Sequence, residues 1–200
     1  MFVWALDWPG WCRSGRDRQS ALEALEKFGQ RYAPVAAAAG LELPAGDASL
    51  VIVTEVEGGT GTDFGIPSVI TDDDRRAVTP ARAKRLSALV ASSWAFFDRV
   101  AEGAPEVLRK GPRGGGRDTS KIIAHVDEAD SAYGREVGIK NKPPADRGEV
   151  EAIRAAMLDL LGRPSDGRPL AVRKWPQRYA ARRIAWHALD HAWEIEDRSD

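Results

Sequence analysis

The sequence has few of the residues from which cross-links and metal sites are usually built. Its 200 residues include a single cysteine, Cys12, and only three histidines. One cysteine excludes an internal disulfide framework and favours a reducing compartment. No segment is apolar over the roughly 18 residues that a bilayer span needs, and the N-terminus lacks the basic start and apolar run of a signal peptide. We therefore expect a cytoplasmic protein with no membrane partner.

The sequence also lacks an excess of charge of either sign. Its 29 lysines and arginines against 30 aspartates and glutamates give a formal net charge of -1. No global field then attracts nucleic acid, so general nucleic-acid binding is not expected. With 43% hydrophobic residues, the chain is long enough for one sizeable core or for a core with a small appended unit. A homodimer is left open.

The first 57 residues predict a small unit of two strands, a helix and a third strand. Residues 2–6 and 11–14 indicate a β-hairpin, because proline and glycine at the junction are turn formers. Asp17 predicts the N-cap of a helix that ends near Gly40. The alternating, β-branched stretch 50–56 predicts a third strand beside the hairpin.

Four amphipathic helices are predicted after this unit. Residues 58–78 are rich in glycine, proline and charge, which predicts a long connection and a domain boundary. Thr79-Pro80 then supplies an N-cap with proline at the first helical position. Four helices in residues 79–200, each with one apolar stripe, predict a four-helix bundle. The fold class is therefore α+β, mainly α.

The three histidines are the main candidates for a functional site. His187 and His191 are four residues apart on the last predicted helix, so they share a face, and His125 falls on the apolar stripe of the second bundle helix. Each histidine alone could be a hydrogen-bonded core residue. Together they predict a metal site, since three protein ligands with one open position is the usual catalytic arrangement.

Two further pairs of residues are candidates for supporting roles. Asp190 and Glu194 each lie three residues after a histidine, so they could accept a histidine N–H or a substrate proton as catalytic groups. The alternative is a solvated helix carboxylate. Arg113 and Arg117 belong to a cationic, glycine-rich loop before a helix N-terminus, which could clamp an anionic cofactor or remain a flexible, solvated loop.

Residues 79–198 resemble the DinB-like superfamily. The resemblance rests on four helices in that order, one histidine on the second, and His187-Ala-Leu-Asp-His191 on the fourth. It implies a four-helix bundle whose three histidines hold a divalent ion, commonly zinc or nickel. Some members are thiol-dependent transferases or isomerases that use mycothiol or bacillithiol.

The function that this resemblance implies is a metal-dependent enzyme acting on a small-molecule substrate. It would be a hydrolase, a transferase or an isomerase, with water or a low-molecular-weight thiol activated at the metal. Arg113 and Arg117 are then candidates for binding the carboxylates of that thiol. Alanine stands where the metalloprotease motif H-E-x-x-H carries its general base, which excludes peptide hydrolysis by that route.

The first 30 residues resemble a second family, the HicB-like antitoxin fold. The resemblance rests on Asp7-Trp8-Pro9-Gly10-Trp11-Cys12, Ser14-Gly15 and the Ala-Leu-Glu-Ala that follows, with Trp11 inserted relative to the family pattern. It implies an alternative function: a non-enzymatic binding module in which residues 1–57 recognise a partner and the bundle is a scaffold.

Overall fold

The protein is mainly helical, with a two-stranded antiparallel sheet at its N-terminus. The computed structural model describes residues 1–44, 50–63, 66–111, 116–172 and 174–199. Its elements are β1 (Phe2–Trp4), β2 (Cys12–Ser14), α1 (Arg18–Ala38), α2 (Thr60–Asp63), a 3-10 turn (Asp73–Arg75), α3 (Pro80–Gly103), α4 (Thr119–Glu136), α5 (Arg147–Leu161) and α6 (Gln177–Arg198). In these ranges no helix has both the length and the apolar composition needed to cross a membrane.

The predicted hairpin is confirmed, and its turn lies against α6. Phe2 pairs with Ser14 and Trp4 with Cys12. Gly10 in the turn has φ +92°, and a Cβ placed there would come within 2.7 Å of the Leu189 side chain. Glycine therefore supplies both the left-handed backbone conformation and the room for this close approach.

The predicted third strand is wrong. Residues 50–56 form no strand, and the side chains of Val51 and Val53 are largely exposed. Strand propensity measures how well a side chain fits a pleated, half-buried surface, and it is overridden where that surface is missing. The edge of the three-residue β1 is too short to provide it.

The predicted helices are present, and their start signals work as expected. Asp17 and Ser20 form a capping box at the start of α1. Thr79 accepts a hydrogen bond from the backbone N–H of Arg82 at 3.3 Å, with Pro80 at the first helical position of α3. These local interactions mark where the helices begin.

The core is built around α6, which contacts α3, α4 and the 3-10 turn. Helix α5 contacts α3 and α4, so each of the helices α3 to α6 has two neighbours among the other three. Tyr32 and Val35 of α1 belong to the same buried cluster as Leu189 and Trp193 of α6. The N-terminal helix and the later helices therefore share one hydrophobic core.

A buried charge cluster joins three of these helices. Asp130 on α4 accepts a hydrogen bond from Trp94 Nε1 on α3 at 3.2 Å and another from Arg154 Nε on α5 at 2.7 Å. Asp130 and Arg154 are both buried. These hydrogen bonds hold α4, and with it His125, in a fixed position relative to α3 and α5.

The predicted connection at 58–78 is anchored to α6 near its end. Arg182 on α6 donates to the carboxylate of Asp74 at 2.7 Å and to the carbonyl oxygen of Val69 at 3.0 Å. Both members of the ion pair are buried. This part of the connection therefore lies against α6 as a fixed segment.

Candidate metal centre

Helices α4 and α6 bring all three histidines of the chain together. One ring nitrogen from each of His125, His187 and His191 lies within 4.8 Å of the other two. The ring centroids of His187 and His191 are 4.6 Å apart, as expected for neighbours one turn apart on α6. The predicted convergence of the histidines is confirmed, although 62 positions separate His125 from His187.

The spacing of one pair of these nitrogens fits a tetrahedral metal ion. His125 Nε2 and His187 Nε2 are 3.3 Å apart. Two nitrogens bound at about 2.0–2.1 Å to a tetrahedral zinc ion would be about 3.3–3.4 Å apart. A hydrogen bond between two neutral rings also suits this distance, but it satisfies only two of the three converging nitrogens. A metal ion placed between the rings would contact all three.

Burial favours the neutral form of two of these histidines. His187 is only 7% exposed, and burial, followed by the nearby His191, His125, Arg183 and Arg117, lowers its pKa to about 2. The pKa of His125 is also lowered, first by burial and then by His191 and Arg117. Both rings are therefore neutral at ordinary pH, with lone pairs free for a metal.

Glu194 orients His191. Its Oε2 lies 2.8 Å from His191 Nδ1, and its Oε1 accepts a hydrogen bond from Arg198 Nη1, also at 2.8 Å. An ionised carboxylate can only accept, so Nδ1 carries the proton and Nε2 is left as the ligand nitrogen. The hydrogen bond from His191, followed by Arg198, lowers the pKa of Glu194 and keeps it ionised.

Arg198 connects this pair to the cationic loop. It donates to the carbonyl oxygens of Arg109 at 2.8 Å and Arg117 at 2.9 Å. Arg117 is exposed, and its charge contributes to the lowered pKa values of His125 and His187. Arg113 lies outside the described residues. A role of Arg113 and Arg117 in binding a cofactor stays a prediction.

Asp190 faces a different partner from the one that its spacing suggested. Its carboxylate accepts a hydrogen bond from Arg13 Nη1 on the hairpin at 2.9 Å. The same guanidinium stacks on Phe28 at 3.6 Å and on Trp193 at 4.2 Å. Within the described part of the chain, no hydrogen bond joins Asp190 to His187. Its position anchors the hairpin to α6, and a catalytic role of Asp190 stays a prediction.

Arg183 is a neighbour of the cluster that the sequence patterns did not single out. It lies one turn before His187 on α6, with its guanidinium carbon 4.7 Å from the Trp186 ring centroid and 5.7 Å from that of Tyr133. The Tyr133 ring in turn meets His187 edge-on at 5.5 Å. In the sequence, the spacing of four residues between Arg183, His187 and His191 could have indicated that Arg183 lies on the same face of the helix as the histidines.

A large groove lies away from the histidines. A cavity of 1070 Å³ runs between the hairpin, α1 and residues 50–54, and none of the three histidines lines it. His125 and His191 are partly exposed, whereas His187 is buried. The cluster therefore opens to solvent on the side of His125 and His191.

Comparison with protein-family models, with curated proteins and with solved structures finds no match to this chain.

Proposed function

We propose that this protein is a metal-dependent enzyme in which His125, His187 and His191 hold a divalent transition metal ion, zinc or nickel. The observation that carries the proposal is the convergence of all three histidines, with one ring nitrogen of each within 4.8 Å of the others. Three imidazoles are a donor set suited to these ions, and they leave a coordination position for water or substrate.

The bound ion would polarise a carbonyl group, lower the pKa of water, or hold a thiol as its thiolate. The residues around it have separate tasks. Glu194 fixes the tautomer and ring orientation of His191, and Arg198 fixes Glu194. The burial of His187 keeps its ring neutral and limits water on that side. Glu194 accepts a hydrogen bond from His191 Nδ1–H, so its role is to position the ligand.

We further propose that helices α3 to α6 form a four-helix bundle of the DinB-like kind. Support comes from the pairing of helices, in which α3 and α4 each contact both α5 and α6. The order of the ligands, one on the second of these helices and two on the fourth, agrees with the resemblance of residues 79–198 to that superfamily. Hydrolase, transferase and isomerase activities all remain compatible with this site.

The thiol-dependent version of the function adds a requirement for a cation near the metal. Among the described residues, Arg117 is the candidate. Its charge contributes to the lowered pKa values of His125 and His187, and its carbonyl oxygen accepts a hydrogen bond from Arg198. Mycothiol or bacillithiol would bring its sulfur to the ion while its carboxylates meet this loop. Thiol binding that requires both the metal and Arg117 would support this version over a hydrolase.

Metal analysis of the full chain, purified without a histidine tag, tests the proposal. We expect about one equivalent of zinc or nickel per chain, because three nitrogens and one open position form a single site. His187→Ala should abolish binding, whereas Asp190→Asn on the same helix should retain it. A folded wild type that takes up no metal after reconstitution would refute the proposal.

A further inference from the structure

Arg183 differs from the other buried or half-buried arginines near it. Arg154 and Arg182 each have a carboxylate partner, Asp130 and Asp74, at 2.7 Å. Within the described residues, no carboxylate lies within 4 Å of Arg183, and its Nη1 is buried without a hydrogen-bond partner. A guanidinium left in this state loses solvation without gaining a counter-ion. An anion bound here would supply the missing counter-ion.

The surroundings of Arg183 would place a bound anion beside the three histidines. Arg183 precedes His187 by one helical turn, so both side chains project from the same face of α6. Tyr133 borders both of them, with 5.7 Å to the Arg183 guanidinium carbon and 5.5 Å to the His187 ring. Trp186 stacks near the guanidinium at 4.7 Å. Arg183 is partly exposed, so a ligand can reach it from solvent.

We propose that Arg183 is a substrate-binding residue that holds the carboxylate of a small organic acid next to the three histidines. The planar guanidinium fork matches a carboxylate in a bidentate geometry. A single cation balances one negative charge, which favours a carboxylate over a doubly charged phosphate. Tyr133 and Trp186 provide an apolar wall for the rest of the molecule. The catalytic meaning of this subsite rests on the proposed metal-dependent function, but anion binding does not.

The test uses the full-length protein and benzoate as the probe. Binding is followed by NMR through the Arg183 Nε–H and Trp186 indole signals, in zinc-loaded protein and in protein stripped by a chelator. Benzamide has the same shape without the charge, and inorganic phosphate tests the other class of anion. Arg99→Ala is the matched control, since Arg99 is an exposed arginine that stacks on Phe96 at 5.0 Å and lies on α3.

We expect benzoate to bind both forms of the wild type, and Arg183→Ala to weaken it roughly 10-fold to 100-fold, as for loss of a charge-assisted hydrogen-bond pair. Arg183→Lys, which keeps the charge and lacks the fork, should show a smaller loss and covers the case in which Arg183→Ala fails to fold. Arg99→Ala should bind benzoate like the wild type, and benzamide should not bind.

Three outcomes would overturn the subsite. They are wild-type protein that binds no benzoate, benzoate affinity that is the same in Arg183→Ala, and phosphate binding that is tighter than benzoate and equally dependent on Arg183. Metal content is measured in the same samples. Failure to bind metal would remove the proposed enzyme function, while the titration of stripped protein would still decide whether Arg183 binds a carboxylate.

Discussion

Glu194 is the residue that determines how His191 presents its ring to the other two histidines. Its carboxylate holds Nδ1–H at 2.8 Å and is itself held by Arg198. We predict that Glu194→Ala weakens zinc affinity about 10-fold to 100-fold, as for loss of a partner that orients a metal ligand. Competition with a chromophoric zinc chelator measures the change. Asp190→Asn, with its carboxylate turned to Arg13, should leave affinity unchanged; equal effects of both variants would contradict the assigned role.

The burial of His187 gives the metal-free protein a specific dependence on pH. The pKa of His187 is lowered to about 2 in the folded state, whereas an unfolded histidine has a pKa of about 6.5. Between these values the unfolded chain binds one more proton than the folded chain. Stability from this group is therefore complete above about pH 6.5 and falls by about 1.4 kcal/mol per pH unit as the pH decreases below it.

Chemical denaturation of chelator-treated protein at several values between pH 5 and pH 7 checks this prediction. The wild type should lose stability more steeply toward pH 5 than His187→Leu, which has no proton to bind. Comparing the two proteins removes the contribution of the carboxylates, which both share. Parallel curves for the wild type and the variant would show that His187 does not titrate as its burial implies.

At the level of elements, helix boundaries were predictable because the signals are local. Asp17 caps α1, and Thr79 with Pro80 starts α3, in both cases through groups within one turn of each other. The pairing of His187 with His191 follows from helical spacing in the same way. Convergence with His125 could be proposed because all three histidines lie on apolar stripes.

Other features were not predictable, because they depend on partners far along the chain. Asp190 and Glu194 each follow a histidine by three residues, yet Asp190 meets Arg13, 177 positions away, while Glu194 meets His191. Nearly every face of α6 is buried, so spacing alone cannot tell which neighbour each face meets. Residues 50–56 have the pattern of a strand but no half-buried surface on which to form one.

The buried pair of Asp130 and Arg154 leads to a prediction about how α3, α4 and α5 are held together. Asp130→Leu removes the hydrogen-bond partner of the buried Arg154 Nε, while Arg154 Nη1 keeps its partner Asp98 at 3.0 Å, so this variant should destabilise the protein by about 1–3 kcal/mol. The double variant Asp130→Leu with Arg154→Leu should lose less than the sum of Asp130→Leu and Arg154→Leu, because each single variant already removes the interaction between the two side chains. Urea denaturation of the four proteins measures the coupling, and strict additivity would contradict it.

For the molecule as a whole, the shared core bears on how far the N-terminal unit can act alone. Tyr32 donates to the carbonyl oxygen of Pro9 at 2.8 Å and belongs to the same buried cluster as Leu189. Phe2 of the hairpin meets Trp186 edge-on at 6.2 Å. The division into residues 1–57 and 79–200 and the alternative function as a binding module stay predictions. Because of these contacts, a partner bound to the hairpin would lie next to a segment that packs directly on α6.

A metal held by α4 and α6 should stabilise the whole fold, since its ligands come together only in the folded chain. At a free metal concentration of about 1,000 times Kd, binding adds about 4 kcal/mol. For a chain of this size each kcal/mol shifts the melting temperature by roughly 2–4 °C, so metal removal should lower it by about 8–16 °C.

Thermal unfolding of the zinc-loaded protein with and without a chelator provides the measurement. His187→Ala should melt at the same temperature in both conditions, because it lacks a ligand, and Asp190→Asn should respond like the wild type. Magnesium should not replace zinc, since it prefers oxygen ligands and the cluster offers three nitrogens. A chelator effect of equal size in the wild type and His187→Ala would place the stabilising ion elsewhere in the molecule and contradict the three-histidine centre.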